Sequence, residues 1–211
     1  MENILQQLAD CVISGKRNDI TPLVETALAE GIAASDILQN GLLKGMDVVA
    51  GAFARNEMYI PEVMLAARVM NTATAMLKPY LNDEANALGV AVIGTVRGDR
   101  HDIGKNILKI MLEGKGFEVV DLGVDVEAQA FCDAVRERKP NLLCMSALLT
   151  TTMPAMTEAM ELLRNSGLRN NVKVMVGGAP VNEAFCKEIG ADGYADDAAT
   201  AAVWAKEAVL V

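Results

Sequence analysis

His101, the only histidine of the 211-residue chain, stands in a loop between an apolar run and a helical segment, two residues after Asp99. A neutral imidazole is a common metal ligand, and a carboxylate that accepts the Nδ1 proton strengthens Nε2 as a donor. One histidine does not hold a bare metal ion. The other donors would have to come from a macrocycle or from residues elsewhere, and no cluster of Cys, His, Asp and Glu offers the second source.

Two other interpretations of this loop stay open at this point. In the first, His101 is an exposed loop histidine, and Asp99 or Asp102 caps the helix that follows. In the second, glycines between a strand and a helix bind a phosphate at the helix N-terminus. The run from Gly98 to Gly104 is one residue too long for a P-loop and lacks its Ser or Thr, so the phosphate interpretation is the weaker of the two.

The elements that must position this loop alternate between strand and helix from residue 89 onward. Apolar runs of strand length occupy 89–95, 117–121, 141–146 and 172–176. Helical segments are predicted at 103–115, 126–138, 153–166, 181–189 and 197–208. This order predicts a doubly wound parallel sheet with helices on both faces. A ligand would bind outside the C-terminal ends of its strands, where the His101 loop lies.

The first part of the chain has a different periodicity. Apolar residues recur at helical spacing from Ile4 to about Leu81, and this predicts a helical bundle with helices at about 2–14, 18–30, 35–54 and 61–80. Residues 82–86 show no apolar period and are expected to form a linker. We therefore predict two domains, a helical bundle over 1–86 and an α/β domain over 87–211.

Composition excludes several classes of protein. The net charge of -9, with no basic cluster, argues against a nucleic-acid partner. Cys11, Cys132, Cys144 and Cys186 are far apart and form no C-x-x-C pair, as is typical of reduced cysteines. The chain shows neither a signal pattern nor a long apolar run, so we expect a cytoplasmic protein without a membrane partner.

Three motifs in the second half resemble those of cobalamin-binding domains. Asp99-x-His101-x-x-Gly104 resembles the family's D-x-H-x-x-G, Ser146-Ala147-Leu148 resembles S-x-L, and Gly177-Gly178 resembles the G-G pair. Each motif follows a predicted strand, in the family's order and at its separations. The resemblance implies a flavodoxin-like or Rossmann-like B12-binding domain that holds cobalamin or a related corrinoid.

The resemblance also implies roles for particular residues. His101 would be the metal ligand below cobalt, while the nucleotide tail of the corrinoid leaves the metal and threads into the sheet. Gly104 would let the tail pass, Ser146 would hydrogen-bond near it, and the two glycines would leave room beside it. Thr152 stands where methionine synthase has a serine that extends the His-Asp hydrogen-bond chain. The cofactor-binding residues implied are Asp99, Arg100, His101, Asp102, Ile103, Gly104, Ser146, Leu148, Thr150, Thr152, Gly177 and Gly178.

Ordinary structural roles stay open for some of these residues. Gly177-Gly178 is also what a strand-to-helix turn before Pro180 would need. Thr152 could serve only to start the helix near Pro154.

Residues 51–70 resemble the cap module of methionine synthase and of the small corrinoid proteins of methanogens and acetogens. In that family the cap covers the upper face of the corrin. Phe53, Ile60, Val63 and Met64 match or adjoin the positions that contact this face. The alternative is that these side chains, Val63 and Met64 above all, belong to the core of the bundle.

The resemblance implies a methyl carrier that catalyses little alone and has no catalytic residue of its own. The corrinoid would alternate between methylcob(III)alamin and cob(I)alamin. The partners implied are a substrate:corrinoid methyltransferase, a corrinoid methyltransferase that uses tetrahydrofolate or coenzyme M, and a reductive activase. Candidate methyl donors are methylamines, betaines, methanol and methoxylated aromatics.

Three other functions compete with that of a methyl carrier. A cobalamin-binding sensor or regulator also joins a helical module to this domain, but it usually adds a basic DNA-binding helix, and none is evident. The cobalamin-binding part of an adenosylcobalamin mutase would not need the cap. A flavodoxin-like domain without cobalt would not need the three spaced motifs.

Overall fold

The computed structural model describes residues 2–81 and 88–210, with side chains from residue 4 onward, and these residues form two compact units. The first unit is helical, and the second is a parallel sheet flanked by helices, as the two periodicities predicted. The expected linker at 82–86 and the boundary between residues 86 and 87 lie outside the described residues. That boundary stays a prediction.

The helices of the first unit lie close to their predicted positions. One predicted helix, 35–54, is divided by a π-helical segment at Ile37–Leu43, and the 3-10 turn Lys78–Tyr80 follows the last helix. The α-helical elements are α1 Glu2–Ile13, α2 Arg17–Ala29, α3 Ala34–Asp36, α4 Lys44–Ala54 and α5 Ile60–Leu77.

The core of the first unit is built from side chains at helical spacing. Leu8 and Val12 of α1 lie four residues apart and are fully buried, and so are Ile20 and Val24 of α2. Residues at this spacing share one face of a helix, so each helix turns an apolar stripe inward. Among the described residues, no helix combines the length and apolar character needed to cross a membrane.

The second unit contains five parallel strands in the order β2-β1-β3-β4-β5. Four of them match the predicted runs, and the two-residue β5 was not predicted. The strands are β1 Gly89–Thr95, β2 Phe117–Asp121, β3 Leu142–Ser146, β4 Lys173–Gly177 and β5 Gly193–Tyr194.

Helices cover both faces of this sheet. Val92 and Leu143 pack in one buried cluster with residues of the helices on one face, such as Phe131 and Met160. The alternate strand residues are buried as well, which explains why the strands are apolar throughout. The helices are α6 Ile103–Glu113, α7 Ala128–Arg138, α8 Met153–Asn165, α9 Glu183–Ile189 and α10 Ala198–Leu210.

The strand order fixes where a ligand crevice forms. From β1 the chain crosses to β2 on one side of it, and β3 lies on the other side, so the connections diverge beyond the C-terminal ends of β1 and β3. The register places Thr95 beside Ser146, and Ser146 beside Gly177. The ends of the three central strands therefore form one edge, and each of the three motifs lies there.

Candidate functional site

His101 lies in the loop between β1 and α6, at the edge that the strand order selects. Its side chain is 53% exposed, and its ring nitrogen Nδ1 lies 2.6 Å from Oδ1 of Asp99. The backbone N–H of His101 donates to the same oxygen at 3.0 Å. Asp99 thus contacts both the ring and the main chain of His101, and the other ring nitrogen, Nε2, points away from this pair.

The Asp99 carboxylate is fully buried and accepts hydrogen bonds on both oxygens. Its Oδ2 accepts from Leu148 N at 2.7 Å and from the hydroxyl of Thr152 at 2.9 Å. Burial alone would raise the pKa of Asp99, but the donors of Leu148, His101 and Thr152 outweigh it and hold that pKa well below its ordinary value. Asp99 is therefore ionised at neutral pH.

The ionised carboxylate determines the tautomer of His101. A carboxylate without its proton can only accept, so Nδ1 of His101 must carry the hydrogen that lies between them. The lone pair of the neutral ring is then on Nε2, which is the state a metal requires. His101 is thus prepared as a ligand through Nε2.

Thr152 completes this chain of hydrogen bonds. Its hydroxyl lies 2.9 Å from both Asp99 Oδ2 and Leu149 O, but it has a single proton to donate. Donation to the charged carboxylate is the stronger interaction. Thr152 is also the N-cap residue of α8, which begins at Met153, but its side chain makes no capping hydrogen bond.

The predicted glycines differ in their surroundings. A Cβ added at Gly104 or Gly177 would meet nothing within 4 Å, so both positions border open space at the edge of the sheet. Gly178 has a φ of +122°, and a Cβ there would lie 1.8 Å from Ala147 O. Glycine is therefore required at 178 because two backbone segments approach each other there. This requirement does not depend on a ligand.

The remaining predicted cofactor-binding residues lie in or beside the His101 loop or at and after the end of β3, and most of them are exposed. Arg100 and Ile103 are well exposed, and Ser146 is half-buried at the end of β3. Asp102 is exposed and accepts a hydrogen bond from Asn106 on Oδ2 at 3.1 Å. Leu148 and Thr150 are exposed as well, and so is Leu149, which the motifs did not indicate.

This surface fits a metal that brings its own donors. Among the described residues, no group of three or more His, Cys, Asp or Glu side chains could hold a metal ion. His101 offers one nitrogen, and the side chains of Ile103, Leu148 and Leu149 expose apolar surface in the neighbouring segments. A cobalt ion held by the four nitrogens of a corrin needs one axial donor and an extended apolar contact, and the residues present can supply both.

Two residues of the site carry no motif and were missed by the sequence analysis. Thr95 is fully buried, and its hydroxyl donates to the carbonyl oxygen of His101 at 2.9 Å. Asp125, between β2 and α7, accepts from Gly98 N on Oδ1 at 2.7 Å. Position was their only signal in the sequence, since Thr95 ends a predicted strand and Asp125 follows one.

The predicted cap residues lie around the turn between α4 and α5 in the helical unit. Ile60 and Met64 are exposed, and Phe53 is half-buried. Val63 is fully buried, which favours the alternative that it belongs to the core of the bundle. The exposed side chains give this turn an apolar surface.

Family models match both halves of the chain. A model described as a B12 binding domain matches residues 89–203, and a second model with the same description matches residues 4–78. The chain is 44% identical over 208 residues to the dimethylamine corrinoid protein of Methanosarcina barkeri, which covers 98% of this chain and 97% of that protein.

Two solved structures match over nearly the whole chain. A cobalamin-binding protein from Desulfitobacterium hafniense DCB-2 is 34% identical with a TM-score of 0.80, covering 97% of this chain and 98% of that chain. A chain of the methanol:cobalamin methyltransferase complex from Methanosarcina barkeri is 31% identical with a TM-score of 0.90, covering 99% and 80%. Sequence and fold therefore match proteins of one kind across both units.

Proposed function

Because this chain belongs to the family of B12-binding corrinoid proteins, we propose that it carries a methyl group between a substrate-specific methyltransferase and an acceptor methyltransferase. The observation that supports this most is the chain of hydrogen bonds from Thr152 through Asp99 to His101, which leaves Nε2 free for a metal. A corrinoid held here would supply a cobalt centre suited to methyl transfer.

In this proposal the protein's own residues bind the corrinoid, orient the His101 ring and protect the reacting face from water. His101 would hold the cobalt through Nε2, while Asp99 holds the proton on Nδ1 and keeps the ring in position. The open space at Gly104 and Gly177 accepts the nucleotide tail, with Ser146 beside it. The other predicted contacts are those of Arg100, Asp102, Ile103, Leu148, Thr150 and Gly178.

We further propose that the apolar turn of the helical unit protects the upper face of the corrin. Phe53, Ile60 and Met64 expose or partly expose their side chains there and would exclude water from the reacting face. The buried Val63 would support them from within the bundle. For each transfer, a partner methyltransferase must displace this cover.

The relatives narrow the choice of methyl donor. A dimethylamine corrinoid protein is 44% identical over nearly the whole chain, while the chain of the methanol complex is 31% identical. We therefore propose a methylamine as the donor, with dimethylamine as the first candidate. The proposed partners are a methylamine:corrinoid methyltransferase, an acceptor methyltransferase that uses tetrahydrofolate or coenzyme M, and a reductive activase. The rival function, a cobalamin sensor, is not favoured by these relatives.

Reconstitution tests the proposal at its centre. The purified protein is mixed with hydroxocobalamin, separated from free cobalamin, and analysed for cobalt content and ultraviolet-visible absorbance. We expect stoichiometric cobalt and the spectrum of a histidine-ligated cobalamin, and His101→Ala should lose that spectrum. Arg136→Ala, on the exposed surface of α7, is the control for substitution as such.

Methyl transfer is measured next, with the loaded protein first reduced to the cob(I)alamin state by the reductive activase or a low-potential chemical reductant, and then mixed with purified partner enzymes. Dimethylamine with its methyltransferase should methylate the loaded protein, and methanol with its own methyltransferase should do so more slowly. Acceptor enzymes for tetrahydrofolate and coenzyme M are then compared. A wild-type protein that retains no corrinoid, or that no methyltransferase methylates, would overturn the proposal.

A further inference from the structure

The loop that carries His101 is attached to the α/β unit by two residues that belong to none of the three motifs. The first is Thr95, the last residue of β1. Its side chain is fully buried, and its hydroxyl donates to the carbonyl oxygen of His101 at 2.9 Å. Because the N–H of His101 donates to Asp99, both main-chain polar groups of the ligand residue are engaged.

The second is Asp125, in the segment between β2 and α7. Its Oδ1 accepts from Gly98 N at 2.7 Å, and its own N–H donates to Asp99 O at 2.9 Å. These two bonds hold the backbone on both sides of the Gly98–Asp99 step. Asp125 has a φ of +57°, in the left-handed region that glycine, asparagine and aspartate adopt more readily than most other residues.

The residues that make these two attachments are also linked to each other through backbone hydrogen bonds. The backbone N–H of Thr95 donates to Gly123 O at 3.0 Å, and Val126 N donates to Thr95 O at 3.0 Å. Thr95 is therefore bonded through its backbone to the segment that carries Asp125. The loop from Gly98 to His101 is held by β1 on one side and by this segment on the other.

We propose that Thr95 and Asp125 are positioning residues that hold His101 in its metal-binding arrangement before the corrinoid arrives. The inference rests on the proposed function, since it concerns the ligand of the bound corrinoid. Each hydrogen bond that already orders the loop in the free protein reduces the conformational entropy that corrinoid binding has to remove. Neither side chain needs to touch the corrinoid to have this effect.

Thr95 offers a nearly isosteric test. Thr95→Val keeps the branched shape at a buried strand end and removes only the hydroxyl, while Thr95→Ser keeps the hydroxyl. We expect Thr95→Val to raise the Kd for hydroxocobalamin about fivefold to tenfold, which is the loss of one hydrogen bond. Thr95→Ser should stay within about twofold of wild type, because it restores the same bond.

Asp125 offers a second and independent pair. Asp125→Gly tolerates the positive φ but removes the acceptor of the Gly98 N–H, whereas Asp125→Asn keeps an acceptor oxygen and also tolerates that φ. We expect weaker hydroxocobalamin binding for Asp125→Gly and near wild-type binding for Asp125→Asn. This pair decides the matter even where Thr95→Val does not fold.

Two readouts distinguish positioning from a merely structural role. At saturating hydroxocobalamin, the absorbance spectrum gives the fraction of cobalt ligated by histidine, and this fraction should fall in Thr95→Val and Asp125→Gly. In the free protein, the NMR signals of the single imidazole should broaden or double as His101 samples more than one arrangement. A loss of thermal stability alone would move neither readout.

The outcomes separate this inference from the proposed function. A wild-type protein that binds no hydroxocobalamin refutes the proposed function. A wild-type protein that binds with a histidine-ligated spectrum, together with folded Thr95→Val and Asp125→Gly variants that show the same Kd and spectrum, overturns the positioning role alone.

Discussion

At the scale of single residues, the central feature is a buried carboxylate that accepts hydrogen bonds on both oxygens. Oδ1 of Asp99 contacts the ring and the backbone of His101, and Oδ2 accepts from Leu148 N and Thr152. Each of these groups is a donor, so the site needs a side chain that only accepts at both oxygens. Ionised aspartate meets that requirement, and an amide of the same shape does not.

The substitution Asp99→Asn exposes this requirement. Its oxygen will face the fixed N–H of Leu148, and its NH2 group will then face Nδ1 of His101, which must become an acceptor. The ring proton moves to Nε2, so the lone pair needed for the metal is lost. We expect corrinoid affinity to fall about tenfold to a hundredfold, the range measured for partners of metal-ligating histidines.

The tautomer can be measured directly in the free protein. Nitrogen-15 NMR of the single imidazole should show the proton on Nδ1 in the wild type and on Nε2 in Asp99→Asn. Asp102→Asn, three residues nearer α6, is the matched control and should leave the tautomer unchanged. An unaltered tautomer in Asp99→Asn would contradict the role given to this carboxylate.

At the scale of elements, a buried ion pair joins α6 to β2 directly after the His101 loop. Nζ of Lys105 lies 2.7 Å from both carboxylate oxygens of Asp121, and the Lys105 side chain is 3% exposed. Lys109, one turn further along α6, lies 3.7 Å from the same carboxylate with a side chain that is 35% exposed. The two lysines therefore contact the same carboxylate, but Lys105 is buried and Lys109 is only partly buried.

We expect Lys105→Met to destabilise the protein by about 2 kcal/mol, because it leaves a partly buried carboxylate without its main partner. Lys109→Met should cost less than about 1 kcal/mol, since a longer and only partly buried ion pair contributes little. Urea unfolding of the corrinoid-free protein measures both values. Equal effects of the two substitutions would contradict the difference in burial as the cause.

The helices and strands could be predicted from the sequence wherever an element leaves a long apolar pattern. Strands β1 and β2 coincide with their predicted runs, because a strand buried on both faces is a continuous apolar run. Strand β5 was missed since Gly193 and Tyr194 are too few to form a pattern. The π-helical segment at Ile37–Leu43 was missed because one widened turn hardly changes the spacing of apolar residues.

The residues of the site also fall into two groups, those that the sequence indicates and those that it does not. Asp99, His101 and Thr152 carry a motif or a family position, and the structure places them in one chain of hydrogen bonds. Thr95 and Asp125 act through the main chain of the loop, and a hydrogen bond to a backbone group leaves no characteristic residue pattern. Contacts of this kind become evident only when the fold is known.

At the scale of the whole molecule, two carboxyl groups with lowered pKa values make the free energy of unfolding depend on pH. Burial opposes the charge of Asp121 too, but donation from Lys105 and Gly123 N outweighs it and lowers the pKa of Asp121. The pKa of Asp99 is lowered likewise. A folded state with lowered pKa values binds fewer protons than the unfolded chain, so both groups stabilise the fold above their unfolded pKa of about 3.9.

We therefore expect the free energy of unfolding to be maintained from neutral pH to about pH 5 and to fall as the pH drops below about 4. The change should be shallower in Asp99→Asn, which removes one of the two titrating groups. Urea unfolding of the corrinoid-free protein at a series of pH values measures both curves. Identical slopes in wild type and variant would contradict the contribution of Asp99.

The short fifth strand has a consequence for the protein in a crowded solution. A methyl carrier that moves between two enzymes reaches each of them by diffusion, so a higher concentration of the carrier favours transfer. Exposed sheet edges at such concentrations invite pairing between copies and aggregation. At the β5 edge only Gly193 and Tyr194 have strand geometry, so that edge offers a neighbouring copy very little backbone to pair with.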